Sequence, residues 1–79
     1  KDRANILVAI GPDGDIWIDQ RKVDVTSVRA NIERLHAENP QGSVVIQADE
    51  EAATRHLVSV MDAARQAGVY NVSIAAQEP

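Results

Sequence analysis

An α+β fold, a small mixed β-sheet with two helices packed on one face, is predicted by two features of this 79-residue sequence. Short apolar runs end in turns built on glycine or proline, as strands do. Two longer stretches repeat apolar residues at helical spacing. Together these give the order β-β-(β)-α-β-α-β. The trailing α-β-α-β half favours a parallel pair of strands joined by a right-handed crossover. A ferredoxin-like βαββαβ order needs one strand before the first helix and two between the helices. Here two precede it and one intervenes.

Residues 5–10, Asn-Ile-Leu-Val-Ala-Ile, suit a first strand. Gly11-Pro12-Asp13-Gly14 is a turn: Pro presets φ at the second position and Gly accepts positive φ at the exit. Residues 15–19 form the second arm of a hairpin, with Ile16 and Ile18 on one face and Trp17 on the other. A polar reversal over residues 19–22 leads to Val23 and a brief third strand. Asp24 fits an N-cap, and Val23 with Val28 fits a hydrophobic staple. Val25, Val28, Ile32 and Leu35 then form the buried stripe of the first helix. Asn39-Pro40-Gln41-Gly42 ends it, because the residue before proline avoids the helical region. Residues 43–48 are a strand with apolar side chains on both faces. Asp49, Glu50 and Glu51 lead into the second helix near Ala53, where carboxylates suit the positive end of the helix dipole. Leu57, Val60, Met61 and Ala64 are its core stripe, and Gly68 fits a left-handed stop backed by Val69. Residues 70–76 make the last strand, and residues 77–79 are expected to fray.

The chain makes a single domain, residues 1–79. A domain of this size buries only about 60–65% of the surface its unfolded chain exposes, so its own core is marginal. The sequence has no cysteine to form disulfides, and two histidines far apart argue against a structural zinc. Self-association is the remaining source of stability. With one Trp, one Tyr and no Phe, the core must be aliphatic. A net charge of −4 with no basic stripe argues against nucleic acid and against an anionic membrane surface. There is no apolar run of about 18 residues, the length of a membrane span.

No catalytic residue, cofactor site or metal site is expected. Asp13 and Asp15 around Gly14 lack the ligand spacing of a calcium loop. Asp49, Glu50 and Glu51 suit a helix start better than paired acid–base carboxylates. His36 and His56 have no partner at metal-ligand or nucleophile spacing. Met61 is core filling. The chain is therefore read as a non-enzyme. Its functional candidates are strand edges. The first and last strands carry no proline and almost no charge, whereas natural edges are usually protected. A partner segment is expected to add as a strand along Val72, Ser73, Ile74 and Ala75, or along Leu7, Val8 and Ala9, with Trp17 as a further contact. Proline at Ser73 or Ala75 is expected to disrupt such an edge.

The pattern resembles the periplasmic domain of the ExbD/TolR family. The matching residues are Ile10, Asp13 and Gly14 in an I-x-x-D-G element, Trp17, Asp24, Pro40, Ala48-Asp49, Val60-Met61-Asp62, Ala67-Gly68, and Val72 with Ile74. Departures are Asp19-Gln20 where the family often has Asp-Gly or Asn-Gly, Glu50 where a basic residue is common, and Thr54 where an aromatic is common. The resemblance implies a transmembrane helix and linker upstream, in a single-pass bacterial inner-membrane protein. The family's proton-carrying aspartate lies in that helix. It further implies the periplasmic part of a stator complex of the ExbB/ExbD–TonB type, driven by the proton-motive force and supporting energised outer-membrane transport. The implied partners are a second copy, an ExbB- or TolQ-like membrane subunit, and a TonB-like or TolA-like energy-transducing protein. The alternative is a TolR-like anchor of the Tol-Pal system that binds peptidoglycan.

Overall fold

A computed structural model describes residues 5–77. It contains five strands, β1 (Ile6–Ile10), β2 (Ile16–Ile18), β3 (Arg21–Val23), β4 (Val44–Asp49) and β5 (Val72–Gln77), and two helices, α1 (Val28–Glu38) and α2 (Thr54–Gln66). The expected α+β class and element order hold. Gln77 belongs to β5, while residues 78 and 79 lie outside the described residues.

The sheet order is β3-β2-β1-β4-β5. β1, β2 and β3 form an antiparallel meander. β1 pairs parallel with β4, and β4 parallel with β5. Alternation along each strand sets one face of the sheet against the helices. Ile6, Val8, Ile10, Ile16, Ile18, Val44 and Ile46 are all buried and share a core with Val28, Ile32, Val60, Ala64 and Val69. Each fully buried Val or Ile contributes about 1.5–3 kcal/mol relative to exposure. No helix of the described residues is long and apolar enough to cross a membrane.

The turns explain the register. Gly14 has φ +90° and donates its N–H to the Gly11 carbonyl at 3.0 Å, closing the β1–β2 turn. Asp19 and Gln20 have φ of +57° and +70°, and Ile18 pairs with Arg21, so β2 and β3 are joined by a two-residue turn with both residues left-handed.

Both helix starts depart from expectation. Residues 25–27 form a 3₁₀ turn before α1. The tighter pitch throws Val25 out of phase with the stripe, and it is 56% exposed. The Asp24 side chain caps no backbone N–H. Its carboxylate accepts from the Thr26 hydroxyl instead, at 3.3 Å. Before α2, the Asp49 carboxylate accepts the Glu51 N–H at 2.9 Å, and no acidic residue occupies the first helical turn. The Asp49 carboxylate therefore shapes the turn that approaches the helix, and all three carboxylates precede its first turn.

The end of α2 follows the sequence. Gly68 has φ +95°. Its N–H donates to the Arg65 carbonyl at 3.0 Å, and the Val69 N–H to the Ala64 carbonyl at 2.9 Å. This is the paired bonding of a Schellman stop, with buried Val69 as its apolar contact.

Candidate functional site

The two sheet edges are β3 and β5. β1 is hydrogen-bonded on both sides, so Leu7, Val8 and Ala9 offer no free backbone to a partner. This corrects the expectation of an open first strand. Chain order placed it first, but its parallel pairing with β4 puts it in the middle of the sheet. Val8 also points into the core and is fully buried.

The edges differ in chemistry. β3 has three residues, Arg21, Lys22 and Val23. A short edge bearing cations is protected against pairing. β5 has six residues, Val-Ser-Ile-Ala-Ala-Gln, with neither charge nor proline. Its free groups follow from the register. The Val44 N–H donates to the Asn71 carbonyl at 3.0 Å, and Val44 is opposite Val72. In a parallel pair this gives Ser73 and Ala75 the backbone groups that face β4. The N–H and C=O of Val72 and Ile74 then face outward. Proline at Ser73 or Ala75, expected to test the outer edge, would instead break the inner ladder.

The second surface is the sheet face away from the helices. Leu7, Ala9, Trp17, Val45 and Ser73 lie on it by register. Leu7 and Trp17 are each 40% exposed. Trp17 is thus a half-covered aromatic on an uncovered apolar face, flanked by Lys22 opposite it on β3.

The polar candidates lie apart from one another among the described residues. Among the described residues no three His, Asp or Glu come together to hold a metal ion. Asp15 makes an exposed ion pair with Lys22 at 3.7 Å. The His56 ring packs over Gly14, and a Cβ built there would lie 2.6 Å from Nε2. His36 Nδ1 is buried without a hydrogen-bond partner among the described residues. A shallow cavity of about 140 Å³ between α1 and the β2–β3 turn is lined by Ile18, Asp19, Arg21, Asn31, Arg34 and Leu35. That is smaller than the roughly 300–1,000 Å³ of small-molecule sites. Within it, Asn31 donates to the Ser27 carbonyl at 2.8 Å and accepts from Arg34 Nη2 at 3.0 Å.

Sequence reasoning missed the surroundings of β5. Ile74, Val58 and Tyr70 are 50%, 54% and 77% exposed. Val58 lies off the apolar stripe of α2, and the exposure of Ile74 at an edge emerges only once the sheet order is known.

The family described as "Biopolymer transport protein ExbD/TolR" matches residues 1–78. Biopolymer transport protein exbD2 of Vibrio cholerae serotype O1 (strain ATCC 39315 / El Tor Inaba N16961) is 49% identical over 77 residues, covering 98% of this chain and 58% of the relative. The chain thus spans a little over half the length of that relative. With the family pattern matched across nearly its whole length, the chain belongs to the ExbD/TolR family.

Proposed function

We propose that this chain is the periplasmic domain of a stator complex driven by the proton-motive force, of the ExbB/ExbD–TonB type. It catalyses no reaction itself. An upstream transmembrane helix joins it to an ExbB-like membrane subunit. The domain pairs with a second copy through the open sheet face around Leu7 and Trp17, and it docks an extended segment of a TonB-like protein on β5. The observation that supports this best is the contrast between the edges: β3 is short and cationic, whereas β5 is six residues long and uncharged. Main-chain pairing would supply affinity, at about micromolar strength, because ordering a flexible segment consumes much of the gain.

One observation favours a second reading, a TolR-like anchor on peptidoglycan. Arg21 and Arg34 share the shallow groove beside α1, where cell-wall carboxylates could pair with them.

The test is an amide-shift titration of the labelled domain with partner peptide and, separately, with muropeptides. Strand addition places the peptide shifts on residues 72–77, and Ile74→Pro weakens binding while the fold survives. Ser73→Pro serves as the control, since it destabilises the domain by removing an inner-ladder bond. Muropeptide shifts at Arg21, Asn31 and Arg34 with none from the peptide would favour the anchor. Peptide shifts confined to α1 would eliminate docking on β5.

A further inference from the structure

α2 leads into β5, and one flank of that helix stays exposed beside its buried stripe. Helical geometry fixes which flank. At 100° per residue, Val58, Met61 and Arg65 fall within about 60° of one another, on the side opposite His56. The His56 ring sits over Gly14, in the turn between β1 and β2. The Val58 flank therefore faces away from that turn.

The sheet register defines the β5 edge. Ile18, Val8, Ile46 and Ile74 form one continuous cross-strand row on the helix-covered face. The first three are buried to 2% exposure or less, while Ile74 is 50% exposed because the row stops there. A strand beside β5 places its own residue in the next position of that row. Met61 is already packed against the core, and Val58, 54% exposed, continues the same flank of α2 outward from it. On the opposite sheet face the last residue in each row is Ser73 or Ala75, with no helix above it. The edge thus ends in a half-exposed apolar side chain on one face and in small residues on the other.

Charge marks one end. The Arg65 guanidinium makes no hydrogen bond or ion pair with any described residue. It lies in the last turn of α2, where the chain leads through Tyr70, 77% exposed, into β5.

We propose that this flank selects an extended segment of another protein whose apolar and polar residues alternate, with an acidic residue at the end that reaches Arg65. Apolar side chains cover Ile74 and contact Val58 and Met61, and polar ones face solvent beside Ser73 and Ala75. Tyr70 supplies a flat apolar contact next to the acidic residue. This rests on the strand-addition reading and adds a side-chain rule to it.

The experiment uses the 79-residue domain and two capped nine-residue peptides of identical composition. One alternates valine or isoleucine with serine and ends in glutamate. The other groups the apolar residues together. The expected result is binding of the alternating peptide at least about tenfold tighter, with shifts at the Val72 and Ile74 amides and the Val58 and Met61 methyls. Val58→Glu removes that preference, and Arg65→Glu transfers it to a peptide ending in lysine. Equal affinity of both peptides, with shifts on β5, overturns the selection rule and leaves strand addition intact. Absence of β5 shifts from either peptide overturns both. A wild-type dimer that Ile74→Pro converts to monomer in sedimentation overturns the proposal in favour of a second copy on this edge.

Discussion

At the residue scale, two left-handed glycines separate two causes of the same requirement. Gly14 and Gly68 both have φ near +90°, yet a Cβ on Gly14 meets the His56 ring while one on Gly68 meets nothing within 4 Å. Gly68→Ala should therefore cost about 1–2 kcal/mol from backbone conformation alone. Gly14→Ala should cost more, and in a His56→Ala background its cost should fall to the Gly68 level. Chemical denaturation of the four variants checks this, with non-additivity between positions 14 and 56 as the signature. Burial gives a second contrast. Ile32 is fully buried, whereas Val25 is 56% exposed. Ile32→Ala should cost about 2–5 kcal/mol. Val25→Ala should stay within about 0.5 kcal/mol, as at other surface positions. The sequence offered both residues for one stripe, because apolar spacing does not distinguish an α-helical start from a 3₁₀ turn.

At the element scale, most of the fold could be read from local chemistry. The hairpin turn at Gly14, the α2 stripe through Val60 and Ala64, and the stop at Gly68 each depend on a few adjacent residues, and each appears as expected. The position of β1 did not, since alternation shows which side chains share a face but not which strand lies alongside. The same gap hid β3 as an edge. The β2–β3 turn shows a different conflict. Asp19 and Gln20 both occupy the left-handed region without a glycine. Gln20→Gly should relieve this and stabilise the domain by about 0.5–1 kcal/mol, allowing for the added freedom of the unfolded chain. A rise in the denaturation midpoint with unchanged slope is the expected observation.

At the scale of the whole molecule, the helices cover one side of the sheet and leave the other bare. A domain of this size with an aliphatic core gains from covering Leu7 and Trp17. If the open face joins two copies, Trp17→Lys should shift the sedimentation equilibrium to monomer. Far-ultraviolet circular dichroism should be preserved, because Trp17 is outside the buried core. A dimer that withstands this substitution would move the contact elsewhere. The face itself was visible in the sequence through the alternation of Ile16, Trp17 and Ile18. That it remains uncovered depends on both helices choosing the same side, which requires the parallel connections through β4.

The one-sided pairing of β5 also gives the molecule a spectroscopic clock. Successive amides along this strand alternate between a carbonyl of β4 and open solvent. Hydrogen–deuterium exchange in the free domain should therefore be slow at Ser73 and Ala75 and fast at Val72 and Ile74. A strand docked outside β5 would slow the fast pair and leave the slow pair governed by the stability of the sheet. The ratio of exchange rates between neighbouring residues thus reports occupancy of the edge without a label on the partner, and it remains informative for encounters too brief to isolate.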